Sequence, residues 1–206
     1  MTYVISLGGS IIVPDEIDVV FLRRFIRRIS SEIRRGHRLF IVTGGGATCR
    51  KYQSALKEIS KSTSENLDWL GIETTKLNAH LMRLAFGNKV NISGGDKPGR
   101  STDYEAVRMA KRHGAKTVIN LSNIDYVYSA DPKKNKSAKK FEQLTWTQYL
   151  KQFGRKWKPG ANYPFDPVAA ALAKKYKITA VIMNGRKLEN LKNLFANKPF
   201  RGTIIK

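Results

Sequence analysis

The sequence predicts an α/β fold, a three-layer sandwich in which helices cover both faces of a mostly parallel central sheet. Short apolar runs typical of buried strands alternate with helical segments along the whole chain. Three of these runs end in glycine-rich turns, LGGS at 7–10, TGGG at 43–46 and SGGDKPG at 93–99. Open parallel sheets bind ligands at the carboxyl ends of their strands, where such turns would lie.

In the first half of the chain, we expect strands at 3–7, 39–42 and 90–93, and helices at 18–35, 48–60, 67–86 and 102–113. The helix at 18–35 has the clearest pattern, because Leu22, Phe25 and Ile29 recur at helical spacing. Gly36 follows it as a stop signal, and Gly114 ends the helix at 102–113 in the same way.

In the second half, we expect strands at 117–121, 180–183 and 202–205, and helices at 146–154, 166–176 and 188–195. Two segments read as loops, a basic polar one at 129–140 and one at 158–165 that is rich in proline and glycine. Asp166 is the expected N-cap of an alanine-rich helix, with Pro167 at its first helical position.

Composition excludes several classes of protein. One cysteine, Cys49, cannot form an internal disulfide framework and fits a reducing cytoplasm. With three scattered histidines it also gives no transition-metal cluster. No apolar run is long enough to span a membrane, and the amino terminus reads as a strand and not as a signal peptide. We therefore expect a cytoplasmic protein without a membrane partner.

The chain is strongly basic, with 38 lysines and arginines against 16 acidic residues and a formal net charge of +22. Such a surface attracts nucleic acid, anionic membranes or anionic substrates, or is simply solvated. The basic residues include Arg23, Arg24, Arg27 and Arg28 on the outer side of the first helix, and the 133–140 loop. Neither stretch interleaves aromatic side chains with cations, so we expect only non-specific binding of nucleic acid.

The glycine turns are the main functional signal. Glycine lets backbone N–H groups approach a phosphate closely, and a following helix adds the positive end of its dipole. A lone Gly-Gly-Ser is more often a tight turn, but three consecutive glycines between a strand and a helix are hard to explain by packing. Three turns in one chain indicate a site for two phosphorylated molecules, as in a phosphoryl transferase.

Other polar residues near the turns allow two interpretations each. Arg50 can grip a phosphate bidentately or lie on the surface. Asp68 can favour the start of its helix or accept a hydrogen bond from a ribose hydroxyl. The segment 96–103 combines a Pro-Gly turn, two cations and a helix start, which makes a good anion pocket. Thr74, Thr75 and Asn78 are polar residues on a largely apolar helix.

Taken together, these motifs resemble the amino acid kinase superfamily, and within it the uridylate (UMP) kinases of the archaeal-like type. The matching pieces occur in family order across nearly the whole chain: Gly8-Gly9-Ser10, Gly44-Gly45-Gly46 with Arg50, Asp68-x-x-Gly71 with Thr75 and Asn78-Ala79, Gly94-Gly95 with Pro98-Gly99 and Thr102-Asp103, Asn123-x-Asp125-x-Val127-Tyr128 with Asp131-Pro132, Asp166-Pro167, and Gly202-Thr203.

The resemblance implies an ATP-dependent transfer of phosphate to UMP by a single domain over 1–206, with an acceptor-binding part at about 1–115 and an ATP-binding part at about 116–206. It implies that ATP is held by Gly8, Gly9, Ser10, Gly45, Gly46, Arg50, Ser122, Asn123, Tyr128 and Asp131. It implies that UMP is held by Gly44, Asp68, Asp96, Lys97, Pro98, Gly99, Arg100, Ser101 and Thr102. The implied catalytic residues are Arg50, Asp166 and Lys97.

The same resemblance implies Mg²⁺ that enters with ATP, no metal site on the protein itself, and a homo-oligomer built from dimers, as in the family's hexamers. Two departures stand out. Many superfamily members carry a lysine on the first strand where this chain has Ser6, which leaves charge stabilisation to Mg²⁺, Arg50, Lys97, Arg100 or Lys158. The family also inserts a strand and helix of about 20 residues where this chain joins 85–89 directly to 90–93.

Two alternative functions stay open from the sequence. One is a related kinase with another acceptor, such as acetylglutamate, carbamate or isopentenyl phosphate. The other is a catalytically weak, basic protein that binds nucleotides or RNA on the same fold, because fold alone does not fix function.

Overall fold

A computed structural model describes residues 1–87, 89–132, 134–156 and 163–206. The strands are β1 (Thr2–Leu7), β2 (Arg38–Thr43), β3 (Asn91–Ser93), β4 (Thr117–Ser122), β5 (Val127–Tyr128), β6 (Lys140–Phe141), β7 (Gln143–Leu144), β8 (Thr179–Asn184) and β9 (Thr203–Ile205). The helices are α1 (Gly9–Ile12), α2 (Val19–Arg34), α3 (Gly46–Ile59), α4 (Ser64–Ala85), α5 (Thr102–His113), α6 (Trp146–Phe153), α7 (Pro167–Tyr176) and α8 (Leu188–Phe195).

The expected sheet is confirmed. Seven strands form one sheet in the order β3-β2-β1-β4-β8-β9-β7, and β3, β2, β1, β4 and β8 run parallel. Strand β9 runs antiparallel to β8, and β7 runs parallel to β9. The central strands are buried on both faces, which is why they read as continuous apolar runs in the sequence.

Helices pack on both faces of the sheet, as expected. Neighbouring side chains of β1 enter different cores, since Val4 packs with one cluster and Ile5 with the other. The core on the Ile5 side includes residues of α2, α4 and α8, and the core on the Val4 side includes residues of α5, α6 and α7. The result is a three-layer sandwich whose loops meet at the two edges where the strands begin and end.

Some elements differ from the expectation. Helix α4 begins at Ser64 and not at residue 67, because Thr63 caps it by accepting a hydrogen bond from Asn66 N. The segment around the 129–140 loop contains the β5–β6 pair, and β7 follows, which are strands too short to give a periodic signal. The short helix α1 directly behind the first glycine turn was also missed.

Part of the expected 158–165 loop lies outside the described residues, as do Lys133 and Lys158. In the part of the chain that the structure describes, no helix is both long and apolar enough to cross a bilayer.

Candidate active site

The glycine turns meet at one edge of the sheet because the strands before them are parallel and in register. Leu7 lies opposite both Thr43 and Leu121, and Val42 lies opposite Ser93. The carboxyl ends of β1, β2, β3 and β4 therefore lie side by side, as the sequence predicted. We call this side of the molecule the carboxyl edge.

The first two glycine turns pack backbone against backbone. Gly44 N donates a hydrogen bond to the Leu7 carbonyl at 2.9 Å, and Gly8 N donates to the Leu121 carbonyl at 2.8 Å. A Cβ added to Gly9 would lie 2.1 Å from the backbone nitrogen of Gly46, so no larger residue fits there without displacing the turn. This contact explains why Gly9 in the first motif and Gly44 and Gly46 in the second are glycines.

These turns also present backbone donors. Helix α3 begins behind Gly45, which has no side chain to cap the first N–H groups of the helix. Gly46 adopts a φ of +67°, which favours glycine. Ala47 N in this first turn donates to the Val13 carbonyl at 2.9 Å, so the backbone caps part of the helix start. The positive end of the helix dipole still favours an anion at this point, as a phosphate-binding turn requires.

Polar side chains of α4 hold the second and third turns in place. Asn78 donates from Nδ2 to the carbonyls of Gly44 and Gly45, at 2.8 and 3.2 Å. Thr75 accepts a hydrogen bond at Oγ1 from Gly95 N at 2.7 Å. The buried polar residues on this helix therefore support the backbone of the glycine turns, which we also call the phosphate cradles.

Asp68 lies against the 96–102 turn, which was expected to hold the acceptor and which we call the acceptor turn. Its Oδ2 accepts a hydrogen bond from Gly99 N at 2.8 Å, and the side chain is half-buried. The carboxylate therefore positions the 96–102 turn, a role that neither interpretation from the sequence included. Within that turn, Asp96 binds Arg108 at 2.7 Å, whereas Lys97 is exposed.

Arg50 lies on α3, next to the loop that follows the first glycine turn. Its Nη2 donates to the Pro14 carbonyl at 3.1 Å, and the side chain is exposed. The neighbouring Lys51 pairs with Glu16 at 2.9 Å in the same loop. Arg50 thus lies against the loop that follows the first glycine turn and has no carboxylate partner among the described residues.

The residues expected to hold ATP beyond the cradles follow β4. The hydroxyl of Ser122, at the end of this strand, is buried and has no hydrogen-bond partner among the described residues. Tyr128 lies in β5, and the carbonyl of Asp131 accepts hydrogen bonds from the backbone of 134–135. Asn123 lies between these residues and the strand end.

Asp166 is the N-cap of α7, as the sequence predicted. Its Oδ1 accepts hydrogen bonds from Val168 N at 2.6 Å and from Ala169 N at 3.3 Å. The side chain is 7% exposed, so it caps the helix at the border between the core and the carboxyl edge. Its backbone N donates to Oδ2 of Asp103 at 3.2 Å.

Asp103 is the residue that sequence reasoning missed. Its Oδ1 accepts hydrogen bonds from Ser6 Oγ at 2.8 Å and from Asn120 Nδ2 at 2.7 Å. Asp103 is half-buried, and loss of solvation raises the pKa of this carboxyl to about 6, with a further rise from the nearby Asp166 carboxylate. Asp103 was part of the sequence motif. An acidic residue in the first turn of a helix is also favoured by the helix dipole, so nothing in the sequence indicated that this carboxyl contacts the central strands.

The structure also shows what Ser6 does. Ser6 is 2% exposed and points from β1 to the carboxylate of Asp103. At the place of the superfamily lysine, this chain therefore carries a neutral donor to a carboxylate. Asn120 on the adjacent strand β4 supplies the second neutral donor.

The comparisons with known proteins agree with this geometry. The model of the amino acid kinase family matches the chain at residues 1–96 and 88–184. The chain is 34% identical to a uridylate kinase of Methanospirillum hungatei over 225 residues, covering 99% of the chain and 94% of that protein. It is 35% identical to a uridylate kinase of Thermoplasma volcanium over 223 residues, covering 98% of the chain and 96% of that protein.

Solved structures show the same fold. The uridylate kinase of Archaeoglobus fulgidus superposes with a TM-score of 0.86 at 31% identity, and the alignment covers 100% of both chains. The UMP kinase of Bacillus anthracis superposes with a TM-score of 0.83 at 20% identity, covering 100% of this chain and 95% of that one. At that lower identity the likeness concerns the fold alone.

The alignments also bear on the short connection before β3. The match to the Methanospirillum protein spans 225 positions, whereas the whole chain has 206 residues, so that protein has residues without a counterpart here. The two pieces of the family match overlap at 88–96. At this place α4 ends at Ala85 and β3 begins at Asn91. These findings support the expected missing segment at this connection.

Proposed function

The chain belongs to the amino acid kinase family, and we propose on that premise that it transfers the γ-phosphate of ATP to UMP, giving ADP and UDP. One observation carries the proposal: three glycine turns meet at the carboxyl edge in a chain that is 34–35% identical to archaeal uridylate kinases over almost its full length. The division into acceptor-binding and ATP-binding parts at about residue 115 belongs to the same proposal.

The reaction needs positioning and charge stabilisation more than covalent chemistry. The two phosphates must lie in line, and the charge that spreads over the transferring oxygens must be screened. The cradles at Gly9 and Gly45 supply backbone donors at fixed positions, because their backbones are locked against each other. Arg50 supplies a guanidinium against the loop behind the first glycine turn, where it donates to the Pro14 carbonyl, and no carboxylate of the described residues neutralises it.

The acceptor turn is positioned from α4. Asp68 holds Gly99 and Thr75 holds Gly95, so the 96–102 segment is tied to α4 at two points. Lys97 is free to meet an acceptor phosphate, since it is exposed and forms no ion pair among the described residues. We assign UMP to this turn and ATP to the cradles together with Ser122, Asn123, Tyr128 and Asp131.

Mg²⁺ would enter this site bound to the phosphates of ATP. The described residues contain no group of three or more acidic, histidine or cysteine side chains that could hold a metal by themselves. The carboxylates of Asp103 and Asp166 are already engaged, one with neutral donors and one with the start of α7. Bound Mg²⁺ would neutralise the charge of the phosphates, while the cradles and Arg50 would orient them.

We also propose that the protein acts in the cytoplasm as a homo-oligomer. The single cysteine supports the compartment. The oligomer is supported by an apolar stripe along α4, where Trp69, Leu77 and Leu84 are 44%, 61% and 60% exposed. A monomer in light scattering at micromolar concentration would contradict this part of the proposal.

A coupled assay of ADP release tests the function. We expect turnover with UMP, less with CMP, and none above background with acetylglutamate, carbamate or isopentenyl phosphate. Faster turnover with one of the last three acceptors would assign the chain to another branch of the family. Absence of turnover with every acceptor would favour a protein that only binds nucleotides or RNA.

A further inference from the structure

The edge of the sheet opposite the glycine turns carries a row of exposed cations, which we call the amino-edge row. Each member lies where a strand of the sheet meets this edge: Lys89 before β3, Arg38 at the start of β2, Lys116 before β4, Lys177 before β8 and Lys206 after β9. The sheet order places these strands side by side, with β1 between β2 and β4. At about 4.8 Å between neighbouring strands, the row extends over about 24 Å.

The row is not visible in the linear sequence. Its members are separated by dozens of residues, and only the sheet topology brings them together. Backbone hydrogen bonds fix the neighbours, since Arg38 N donates to the Met1 carbonyl at 2.9 Å and Thr179 N donates to the Lys116 carbonyl at 2.9 Å. The spacing of the charges is therefore set by the rigid sheet.

Acidic side chains do not neutralise these cations. In the described part of the chain none of the five side chains forms an ion pair, whereas Lys51, Arg108 and Arg186 at the carboxyl edge all do. Two cavities open beside the row, one of 410 Å³ next to Arg38 and Lys89 and one of 300 Å³ next to Lys177 and Lys206. Among the described residues, no acidic side chain lines either cavity.

Helix ends account for only part of the positive charge on this side. Helices α2, α5 and α7 end here with basic last turns, which the helix dipole favours, and Lys177 of the row is itself the C-cap of α7. Arg38 begins β2 and Lys206 follows β9, and neither belongs to a helix end. The crowding of positive charge also shows at His113, whose pKa is lowered by burial and by the neighbouring Arg38 and Arg112.

We propose that the amino-edge row binds the phosphate backbone of single-stranded RNA without sequence preference. A row of cations that extends over about 24 Å fits an extended polyanion better than a small anion. A membrane surface is bound by basic residues combined with an apolar face, and among the described strand ends of this edge only Met1 is a large exposed apolar side chain. The site faces away from the glycine turns, so RNA and nucleotides can bind together.

The test compares two variants with equal loss of charge, by fluorescence anisotropy with labelled oligoadenylate and oligocytidylate over a range of salt. The row variant is Arg38→Gln, Lys89→Gln, Lys116→Gln, Lys177→Gln and Lys206→Gln. The control replaces five other exposed cations that form no ion pair among the described residues: Arg23→Gln, Arg24→Gln, Arg27→Gln, Lys57→Gln and Lys61→Gln. Thermal unfolding and ADP release verify that both variants keep the fold and the wild-type turnover.

We expect equal affinity for both oligonucleotides and a Kd that the row variant raises by about tenfold or more at low salt. The salt slope should fall by about 0.7 for each phosphate that the variant no longer neutralises. The control should stay within about threefold of wild type, because it removes only long-range attraction. An equal loss in both variants would overturn the proposal, as would binding to anionic vesicles that depends on the row when RNA binding does not.

Discussion

The two edges of the sheet differ in how their charged and polar groups are satisfied. At the carboxyl edge, several cations are paired with carboxylates, as in Arg108 with Asp96 and Lys187 with Asp125, both at 2.7 Å, whereas Arg50 and Lys97 form no ion pair among the described residues. At the amino edge, Lys89, Lys116 and Lys177 are exposed without an ion pair in the described part of the chain. The basic residues of the chain are thus partly paired with carboxylates at the carboxyl edge, whereas those of the amino-edge row form no ion pair among the described residues.

The two edges therefore suit different tasks: the carboxyl edge holds a fixed geometry, and the amino edge attracts anions. Paired charges and locked backbones cost conformational freedom but hold a geometry, which phosphoryl transfer requires. Unpaired side chains at the strand ends keep the spacing that the sheet sets but are not held by partners, and they attract any polyanion at long range. A substitution at the carboxyl edge should therefore change catalysis, and one at the amino edge should change only salt-dependent binding. Variants at the two edges test whether catalysis and salt-dependent binding are divided in this way.

Gly9→Ala should have the largest effect, because the added Cβ would lie 2.1 Å from Gly46 N and would force the two cradles apart. We expect a loss of ADP release by a factor of about 100 or more and a lower melting temperature. Gly95→Ala is the matched control, since its Cβ would meet only ordinary contacts at 3.5 Å. Equal effects of the two substitutions would show that the packing of the cradles does not set activity.

Arg50→Ala should lower kcat by a factor of about 100, because a guanidinium beside a transferring phosphate stabilises the transition state. The free energy of unfolding should change by less than about 0.5 kcal/mol, since the side chain is exposed. Lys116→Ala, at the amino edge, should leave kcat unchanged. Steady-state kinetics and chemical denaturation of both variants provide the measurement, and a normal kcat in Arg50→Ala would remove this residue from the site.

Asp103→Asn should change the pH dependence of stability. The folded protein raises the pKa of Asp103 from 3.8 to about 6, so the stability that protonation provides is lost as the pH rises through that interval. The shift corresponds to about 3 kcal/mol. In urea denaturation between pH 4 and 6 we expect the difference in stability between variant and wild type to move in favour of the variant as the pH rises. A constant difference would mean that this carboxyl titrates normally.

Asp68→Asn should have the smallest effect. The amide retains an oxygen that can accept the hydrogen bond from Gly99 N, but it loses the charge. We expect the KM for UMP to rise by up to about tenfold, with a smaller change in the KM for ATP. Initial rates at varied concentrations of each substrate measure this. An equal rise in both values would indicate that Asp68 supports α4 as a whole.

Much of the fold could be predicted from the sequence, because the parallel strands and long helices have strong hydrophobic patterns. The parallel sheet with helices on both faces is confirmed, and the caps at Asp166 and Gly114 are found where they were expected. The elements that the sequence did not predict are short. Helix α1, the β5–β6 pair and β7 contain too few residues to show a hydrophobic period.

The site could be predicted only in part. The glycine turns were visible, but the contacts between Ser6, Asn120 and Asp103 join residues up to 97 positions apart, and the sequence shows no link between them. The amino-edge row escaped for the same reason, since its cations become neighbours only through the strand order. Linear motifs therefore indicated the phosphate cradles, while the buried polar network and the charged row required the structure. The nucleotide-binding roles of the named residues stay predictions.

The measurement that tests the central claim most directly is ³¹P NMR of the wild-type protein with ATP, Mg²⁺ and UMP. If the carboxyl edge transfers phosphate from ATP to UMP, the resonances of UDP and ADP should grow at equal rates, and both rates should fall together in Arg50→Ala. Growth of ADP and inorganic phosphate without UDP would contradict the claim, because the protein would then hydrolyse ATP without using UMP as the acceptor.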